Sequence, residues 1–264
     1  MSVIDDLFAR TLAENRAALV GYLPAGYPTI ERSINAIRAM VEAGVDLVEV
    51  GLPYSDPVMD GPTIQVAAQA ALDGGVRVDD VFSVVEASAA VAPTVVMTYW
   101  NPVERRGVDR FAADLAAAGG AGLITPDLIP DEGVDWDRAS RAHGLDRIYL
   151  VSPSSTDERL AMTAEASSGF VYATAVMGVT GQRAQTSDLA PELVARLRAV
   201  TDKPVGVGLG VSDGRQAHEV AAFADAVIVG SALVRRLIDH PDEEEALASL
   251  RELAADLRAG VERD

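Results

Sequence analysis

Cysteine is absent from this 264-residue chain, and lysine occurs once, as Lys203. A chain without cysteine has no disulfide, no thiolate metal site and no cysteine nucleophile. Histidine is also scarce, and none of His143, His218 and His240 has a second histidine at the spacing of a metal site. We therefore expect no metal site in this chain, and carboxylates remain as the main candidates for chemistry.

Positive charge is in short supply. Asp and Glu outnumber Lys and Arg by 40 to 22, which gives a formal net charge of −18. Nucleic acids and anionic membranes bind clustered positive charge, so we expect neither as a partner. No stretch of the sequence reaches eighteen consecutive apolar residues, so we expect no membrane span. The acidic N-terminal stretch lacks the apolar core of a secretion signal. The sequence predicts a cytoplasmic protein.

Short apolar runs rich in β-branched residues alternate with Ala- and Leu-rich stretches of helical spacing. Runs that are apolar on both faces indicate a parallel sheet covered by helices. Eight of them occur in the 264 residues, at 17–23, 46–51, 94–99, 121–125, 146–152, 169–175, 203–210 and 225–230. This pattern predicts an α/β fold, a (β/α)8 TIM barrel that forms a single domain over residues 1–264. A doubly wound open sheet is the alternative.

A barrel of this kind has its active site at the C-terminal ends of its strands. Lys203 precedes the predicted seventh strand and is expected at the opposite end. This position argues against a Schiff-base mechanism and against covalently held pyridoxal phosphate.

Carboxylates do fall at the expected end of the barrel. Glu49 lies near the end of the predicted second strand, with Asp56 and Asp60 in the loop after it. If Glu49 points into the barrel, burial and nearby negative charge would raise its pKa, as a proton-transfer group near neutral pH requires. A buried Glu49 paired with an arginine is the alternative.

Two glycine-containing segments follow the predicted seventh and eighth strands. They are GVGLGVSDG at 206–214 and IVGSALVRRL at 228–237, and a short helix is predicted to begin at Ser231. Loops in these two places, with a helix N-terminus, form the usual phosphate site of such barrels. The glycines could also serve only to form tight turns. After the sixth strand, the segment at 177–191 is long for such a loop, and it is either a lid or an ordinary connection.

Seven motifs together resemble the tryptophan synthase alpha subunit family. In chain order they are PAGYPT (24–29), LVEVGLPYSDPVMDGPTIQ (47–65), MTYWNP (97–102), PDL (126–128), MGVTG (177–181), VGLGVS (207–212) and GSALV (230–234). They span nearly the whole chain, and the second of them is highly specific.

The resemblance implies a retro-aldol cleavage of indole-3-glycerol phosphate to indole and glyceraldehyde 3-phosphate, with no cofactor in this chain. Glu49 matches the family's acid/base residue, which protonates indole C3 and takes the proton of the hydroxyl beside the breaking bond. Asp60 matches the carboxylate that holds the indole N–H.

Further residues are assigned by the same resemblance. Those implied in substrate binding are Tyr22, Ile64, Met97, Tyr99, Tyr172 and Thr180. Those implied in phosphate binding are Gly181, Gly210, Gly230 and Ser231. Pro53, Asp56 and Asn101 match positions at or near a partner subunit. Tyr22 departs from the family's common pattern, because phenylalanine is usual at that position.

The implied partner is a tryptophan synthase beta subunit in an α2β2 heterotetramer, which carries pyridoxal phosphate and condenses the indole with serine. One alternative is a free-standing indole-3-glycerol-phosphate lyase that releases indole. Two others are a barrel without catalysis that serves as a binding subunit, and a phosphate-binding isomerase with a differently placed acid and base.

Overall fold

A computed structural model, which describes residues 1–174 and 189–263, contains a closed barrel of eight parallel strands. Each strand pairs with the next along the chain, and β1 also pairs with β8. The strands are β1 Ala18–Pro24, β2 Leu47–Gly51, β3 Thr94–Met97, β4 Gly122–Thr125, β5 Asp146–Val151, β6 Val171–Thr174, β7 Val205–Gly208 and β8 Ala226–Val229. The predicted barrel is confirmed, and the open sheet is excluded.

Helices surround the barrel and connect its strands. Several begin at a Ser, Thr or Asp whose side chain accepts a hydrogen bond from the first turn, as Thr29, Thr156 and Asp242 do. The helices are α1 Val3–Ala13, α2 Ile30–Glu42, α3 Pro62–Asp73, α4 Val78–Ala89, α5 Trp100–Arg106, α6 Val108–Ala117, α7 Val134–His143, α8 Asp157–Ala166, α9 Leu189–Arg198, α10 Gly214–Ala221, α11 Ser231–Asp239 and α12 Glu243–Gly260, with a 3-10 turn at Pro130–Glu132. No helix among these is long and apolar enough to cross a membrane.

The apolar core has two layers, one inside the barrel and one between the strands and the helices. Leu47 belongs to the inner layer, whereas Val48 and Val50 belong to the outer one. Because side chains alternate along a strand, Glu49 shares the inward face with Leu47. The sequence left the orientation of the Glu49 side chain open. Because Leu47 packs in the inner layer, Glu49 points into the barrel.

The N-terminal end of the barrel is closed by α1. Its apolar residues Ile4, Leu7 and Phe8 join the inner layer, and the Phe8 ring lies 5.7 Å from that of Phe170. The lysine at this end has partners. Lys203 Nζ donates hydrogen bonds to three carbonyl oxygens at the end of α8, so the one lysine lies at the expected end and is engaged there.

Candidate active site

A pocket of about 760 Å³ opens at the C-terminal ends of the strands. Its wall brings together residues that the sequence assigned to catalysis, to ring binding and to phosphate binding. They are Tyr22, Glu49, Asp60, Ile64, Met97, Tyr172, Gly210, Gly230 and Ser231. The pocket is therefore the place where the predicted site residues meet.

Glu49 is only 3% exposed, and its Oε2 atom has no hydrogen-bond partner among the described residues. No arginine within residues 1–174 and 189–263 pairs with it. Burial, and then the negative charge of Asp60, raise the pKa of Glu49 from 4.5 to about 8. At neutral pH the side chain is mostly protonated and has a proton to donate.

Asp60 lies in the loop between β2 and α3, where Tyr99 holds its carboxylate. The Tyr99 hydroxyl donates a hydrogen bond of 2.9 Å to Asp60 Oδ1 and accepts one of 3.0 Å from the Met59 N–H. Burial raises the pKa of Asp60, and the hydrogen bond from Tyr99 lowers it. The two carboxyl groups thus differ: Asp60 has a donor that favours its charged form, and Glu49 has none.

Tyr99 was assigned to substrate binding around the ring, and the structure shows which groups its hydroxyl contacts. The side chain is 3% exposed, and its hydroxyl contacts the Asp60 carboxylate and the Met59 backbone. Its ring lies 5.2 Å from that of Tyr54, whose hydroxyl accepts a hydrogen bond from Asn101 Nδ2. No pattern in the sequence indicated these contacts, which join residues about forty positions apart.

Tyr22 and Tyr172 reach into the pocket across glycines on neighbouring strands. A Cβ atom at Gly51 would overlap the Tyr22 hydroxyl oxygen, and one at Gly208 would lie 2.6 Å from the Tyr172 hydroxyl oxygen. Both positions therefore need glycine for the close approach of an aromatic ring. The rings and the side chains of Ile64 and Met97 give this side of the pocket an apolar surface.

The part of the pocket after β7 and β8 exposes backbone at Gly210, Gly230 and Ser231. Gly210 has a φ of +69°, and α11 begins at Ser231 after a Gly230 cap that makes no side-chain hydrogen bond. The first N–H groups of a helix lack partners within the helix and carry partial positive charge. This arrangement suits an anion such as a phosphate group.

Arginines at the rim of the pocket were not identified from the sequence. Arg215 forms an ion pair with Glu219. Arg235 donates a hydrogen bond of 2.7 Å to Thr63 Oγ1. Arg235 follows Ser231 by four residues on one helix face, and this spacing was a usable signal.

Several assigned residues lie elsewhere or outside the described part of the chain. Thr180, Gly181 and most of the predicted lid at 177–191 fall within residues 175–188, which lie outside it. Pro53 is buried, whereas Asp56 and Asn101 are exposed beside the pocket. Asp127, which follows β4, accepts a hydrogen bond from the Trp100 N–H.

Metal ligation has no geometric support in the part of the chain that the structure describes. No group of three or more His, Asp or Glu side chains within residues 1–174 and 189–263 could hold a metal ion. The chemistry offered by the pocket is that of a protonated carboxyl group, a second carboxylate and an anion seat.

Comparison with known proteins gives one consistent answer. The family model for the tryptophan synthase alpha chain matches residues 8–262. The tryptophan synthase alpha chain of Salinispora tropica is 65% identical over 262 residues, which cover 99% of this chain and 98% of that one. The corresponding chain of Mycobacterium tuberculosis is 60% identical over 261 residues, which cover 98% and 94%.

Solved structures agree with the sequence comparison. A chain of M. tuberculosis tryptophan synthase superposes with a TM-score of 0.93 at 59% identity, covering 100% of this chain and 99% of that one. The tryptophan synthase subunit alpha of Legionella pneumophila gives 0.87 at 33% identity, covering 99% and 98%. With its barrel, its carboxyl pair and these relatives, the chain belongs to the tryptophan synthase alpha chain family, whose enzymes are lyases of tryptophan biosynthesis.

Proposed function

We propose that this chain cleaves indole-3-glycerol phosphate to indole and glyceraldehyde 3-phosphate, with Glu49 as the acid and base and Asp60 as the partner of the ring nitrogen. The observation that carries these roles is the buried Glu49 carboxyl group. It has no hydrogen-bond partner at Oε2, a pKa near 8, and a second carboxylate in the same pocket. Such a group can both give and take a proton near neutral pH.

In the proposed reaction, Glu49 donates one proton and later accepts another, so it ends in its starting state. Glu49 donates its proton to indole C3, which leaves positive charge on the ring nitrogen, and the Asp60 carboxylate stabilises that charge. The Glu49 carboxylate then takes the proton of the hydroxyl on the carbon bonded to C3. As that oxygen forms a carbonyl, the electrons of the carbon–carbon bond return to the ring and neutralise it. Indole and an aldehyde result, and Glu49 is protonated again.

The phosphate group has a separate seat in this proposal. Gly210, Gly230 and the N-terminus of α11 at Ser231 would bind it, and these residues share the pocket wall with Glu49 and Asp60. Thr180 and Gly181 are proposed to complete the ring and phosphate contacts, as the family resemblance implies. Binding of phosphate by backbone groups is compatible with a chain whose net charge is −18.

The partner we propose is a tryptophan synthase beta subunit, in an α2β2 assembly, that carries pyridoxal phosphate. In support, structures of similar chains are described as tryptophan synthase from M. tuberculosis. Pro53, Asp56 and Asn101 are the proposed contact residues. They lie close to the Asp60 loop, because Asn101 bonds to Tyr54 in the same stretch as Pro53 and Asp56.

We further propose that residues 1–264 act as one domain in the cytoplasm. The first and last strands of the barrel pair with each other, which joins the two halves of the chain. The proposed substrate carries a phosphate group that does not cross a bilayer unaided, so the enzyme is expected in the compartment where that substrate is made.

A single assay tests the reaction and its nearest alternative. Purified chain is incubated with indole-3-glycerol phosphate, and both indole and glyceraldehyde 3-phosphate are measured with and without added beta subunit. We expect both products in equal amounts and a sharp rise on addition of the partner. A high rate that the beta subunit does not change would indicate a free-standing lyase, and activity on phosphoribosylanthranilate instead would indicate an isomerase.

A further inference from the structure

The Tyr22 side chain lies between the inward face of β2 and Gly230. It is 7% exposed, and its strand β1 pairs with β2 so that Tyr22 lies beside Glu49. Its hydroxyl oxygen occupies the space in which a Cβ atom at Gly51 would lie. Gly51 is the next inward-facing position after Glu49 on the same strand, so the hydroxyl lies next to the acid/base residue along the barrel.

The other end of the side chain lies near Gly230. A Cβ atom at Gly230 would lie 3.4 Å from Tyr22 Cδ1 and 3.5 Å from Tyr22 Cβ. The ring therefore spans the pocket floor from the beginning of the anion seat at Gly230 to the inward face of β2. Its hydroxyl therefore lies at the β2 side of the pocket.

The Tyr22 hydroxyl forms no hydrogen bond with any described residue, although the side chain is more than nine-tenths buried. Burial, and then the negative charges of Asp60 and Glu49, raise the pKa of Tyr22 well above its ordinary value of 10.0. The group is thus a protonated donor. Because Tyr22 lines the pocket, a bound ligand can supply an acceptor for this donor.

We propose that the Tyr22 hydroxyl donates a hydrogen bond to a hydroxyl oxygen of the substrate's glycerol chain, and so selects ligands that carry a hydroxylated chain between ring and phosphate. The inference rests on the proposed function and adds a contact that a phenylalanine at this position could not make. The indole ring has one polar atom, an N–H donor assigned to Asp60, so it offers this donor no acceptor.

The phosphate group is an acceptor, but it is assigned to Gly210, Gly230 and Ser231. The Tyr22 hydroxyl extends away from Gly230 toward Gly51, because the atoms near Gly230 are at the Cβ end of the ring and the atom near Gly51 is the hydroxyl oxygen. Between the phosphate and the ring, the glycerol hydroxyl oxygens are the acceptors that remain. Such a contact would also hold the reacting carbon beside Glu49.

The test compares two ligands that differ only in the chain. One is indole-3-glycerol phosphate, and the other is indol-3-ylpropyl phosphate, which has the same ring and phosphate but no chain hydroxyl. Their dissociation constants are measured by calorimetry with Glu49→Gln, which prevents turnover, and with the double variant Glu49→Gln/Tyr22→Phe. We expect Tyr22→Phe to weaken the hydroxylated ligand about 3- to 10-fold and to leave the propyl ligand unchanged.

A matched control removes a buried tyrosine hydroxyl outside the pocket. Tyr149 on β5 is 2% exposed and is absent from the pocket wall, so Tyr149→Phe is expected to change neither dissociation constant. Equal affinities of both ligands before and after Tyr22→Phe would overturn the inference. Equal weakening of both ligands would also overturn it, because the ring position would then be responsible.

The failure of the proposed function gives a different result. If the wild-type chain does not cleave indole-3-glycerol phosphate, the reaction is wrong and the inference falls with it. If the wild type cleaves it and Tyr22→Phe retains the full kcat/KM and affinity, the inference alone is wrong. Unchanged binding of the propyl ligand reports that the pocket of the variant is intact.

Discussion

Strand β2 has one buried carboxyl group just before it and another at its centre, and the two differ in their hydrogen-bond partners. Asp46, just before the strand, accepts hydrogen bonds from Arg16 at 2.6 and 2.8 Å and from the Leu19 N–H at 2.9 Å. Glu49, at the centre of the strand, is 3% exposed, and its Oε2 atom has no partner within the described part of the chain. Three positions along one strand separate an engaged acid from a free one.

The difference lies in the partners, because both side chains are buried but only Asp46 has hydrogen-bond donors among the described residues. Asp46 is satisfied by a guanidinium and a backbone donor, so it contributes to the closed lower end of the barrel. Glu49 is left with a raised pKa, which costs stability and provides a proton. Asp146 Oδ2 at the lower end is also buried without a partner, and nothing in the described residues explains it.

The largest effect is expected from removing the acid of Glu49. Glu49→Gln keeps the shape of the side chain but has no proton to give, so kcat for cleavage should fall about 10²- to 10⁴-fold. Steady-state kinetics with indole-3-glycerol phosphate measure this, and calorimetry should show that the ligand still binds. Turnover close to the wild-type rate would remove Glu49 from the acid/base role.

Removing the partner of Asp46 tests the other side of the comparison. Arg16→Ala leaves the buried Asp46 carboxylate with the half-exposed Arg10, at 3.3 Å, as its one guanidinium partner among the described residues. The free energy of unfolding should fall by about 3 kcal/mol in urea titrations. Arg251→Ala is the matched control, because Arg251 pairs with Glu42 on the surface. That variant should lose no more than about 1 kcal/mol. Similar losses in both variants would mean that the Asp46 network adds nothing beyond a surface ion pair.

Glu49→Gln should also stabilise the protein, in a manner that depends on pH. An unfolded glutamate ionises near pH 4.5, whereas Glu49 in the folded chain keeps its proton up to about pH 8. Between these values the unfolded state binds fewer protons, so wild-type stability falls as pH rises.

Glutamine does not ionise and escapes this penalty. The variant should gain about 3 kcal/mol over the wild type at pH 7 and almost nothing at pH 4.5. Urea unfolding of both proteins at the two pH values measures the gain. A constant difference between them at both pH values would show that the pKa of Glu49 is not raised by folding.

The smallest expected effect concerns the donor on Asp60. Tyr99→Phe removes the hydrogen bond that lowers the pKa of Asp60, so that pKa should rise, and kcat/KM should fall about tenfold. The acidic limb of the pH profile, where Asp60 loses its charge, should move to higher pH.

Tyr149→Phe serves as the control for Tyr99→Phe, since it deletes a buried tyrosine hydroxyl away from the pocket. Its pH profile should match that of the wild type. A Tyr99→Phe enzyme that is slower but has an unchanged acidic limb would assign Tyr99 a purely structural part.

Local patterns were sufficient for the architecture. The second strand was predicted at 46–51 and is observed at Leu47–Gly51. A strand that is buried on both faces consists of consecutive apolar residues, so it can be recognised from the local sequence alone. The inward direction of Glu49 could not be read in that way. It depends on which side of β2 contacts residues of other strands and of α1.

Contacts between distant residues account for most of what the sequence did not show. The hydrogen bond from Tyr99 to Asp60 spans 39 positions, and that from Arg235 to Thr63 spans 172. Each depends on how loops meet after the barrel has closed, and no spacing in the chain encodes it. The roles of Glu49, Asp60, Gly210 and Ser231 remain predictions that their meeting in one pocket supports.

The position of α1 determines the route by which small molecules enter and leave the barrel. Because Ile4, Leu7 and Phe8 fill the lower opening, small molecules have to arrive and depart through the upper mouth beside Glu49. A protein docked over that mouth would therefore govern both the admission of reactant and the onward route of a neutral bicyclic product.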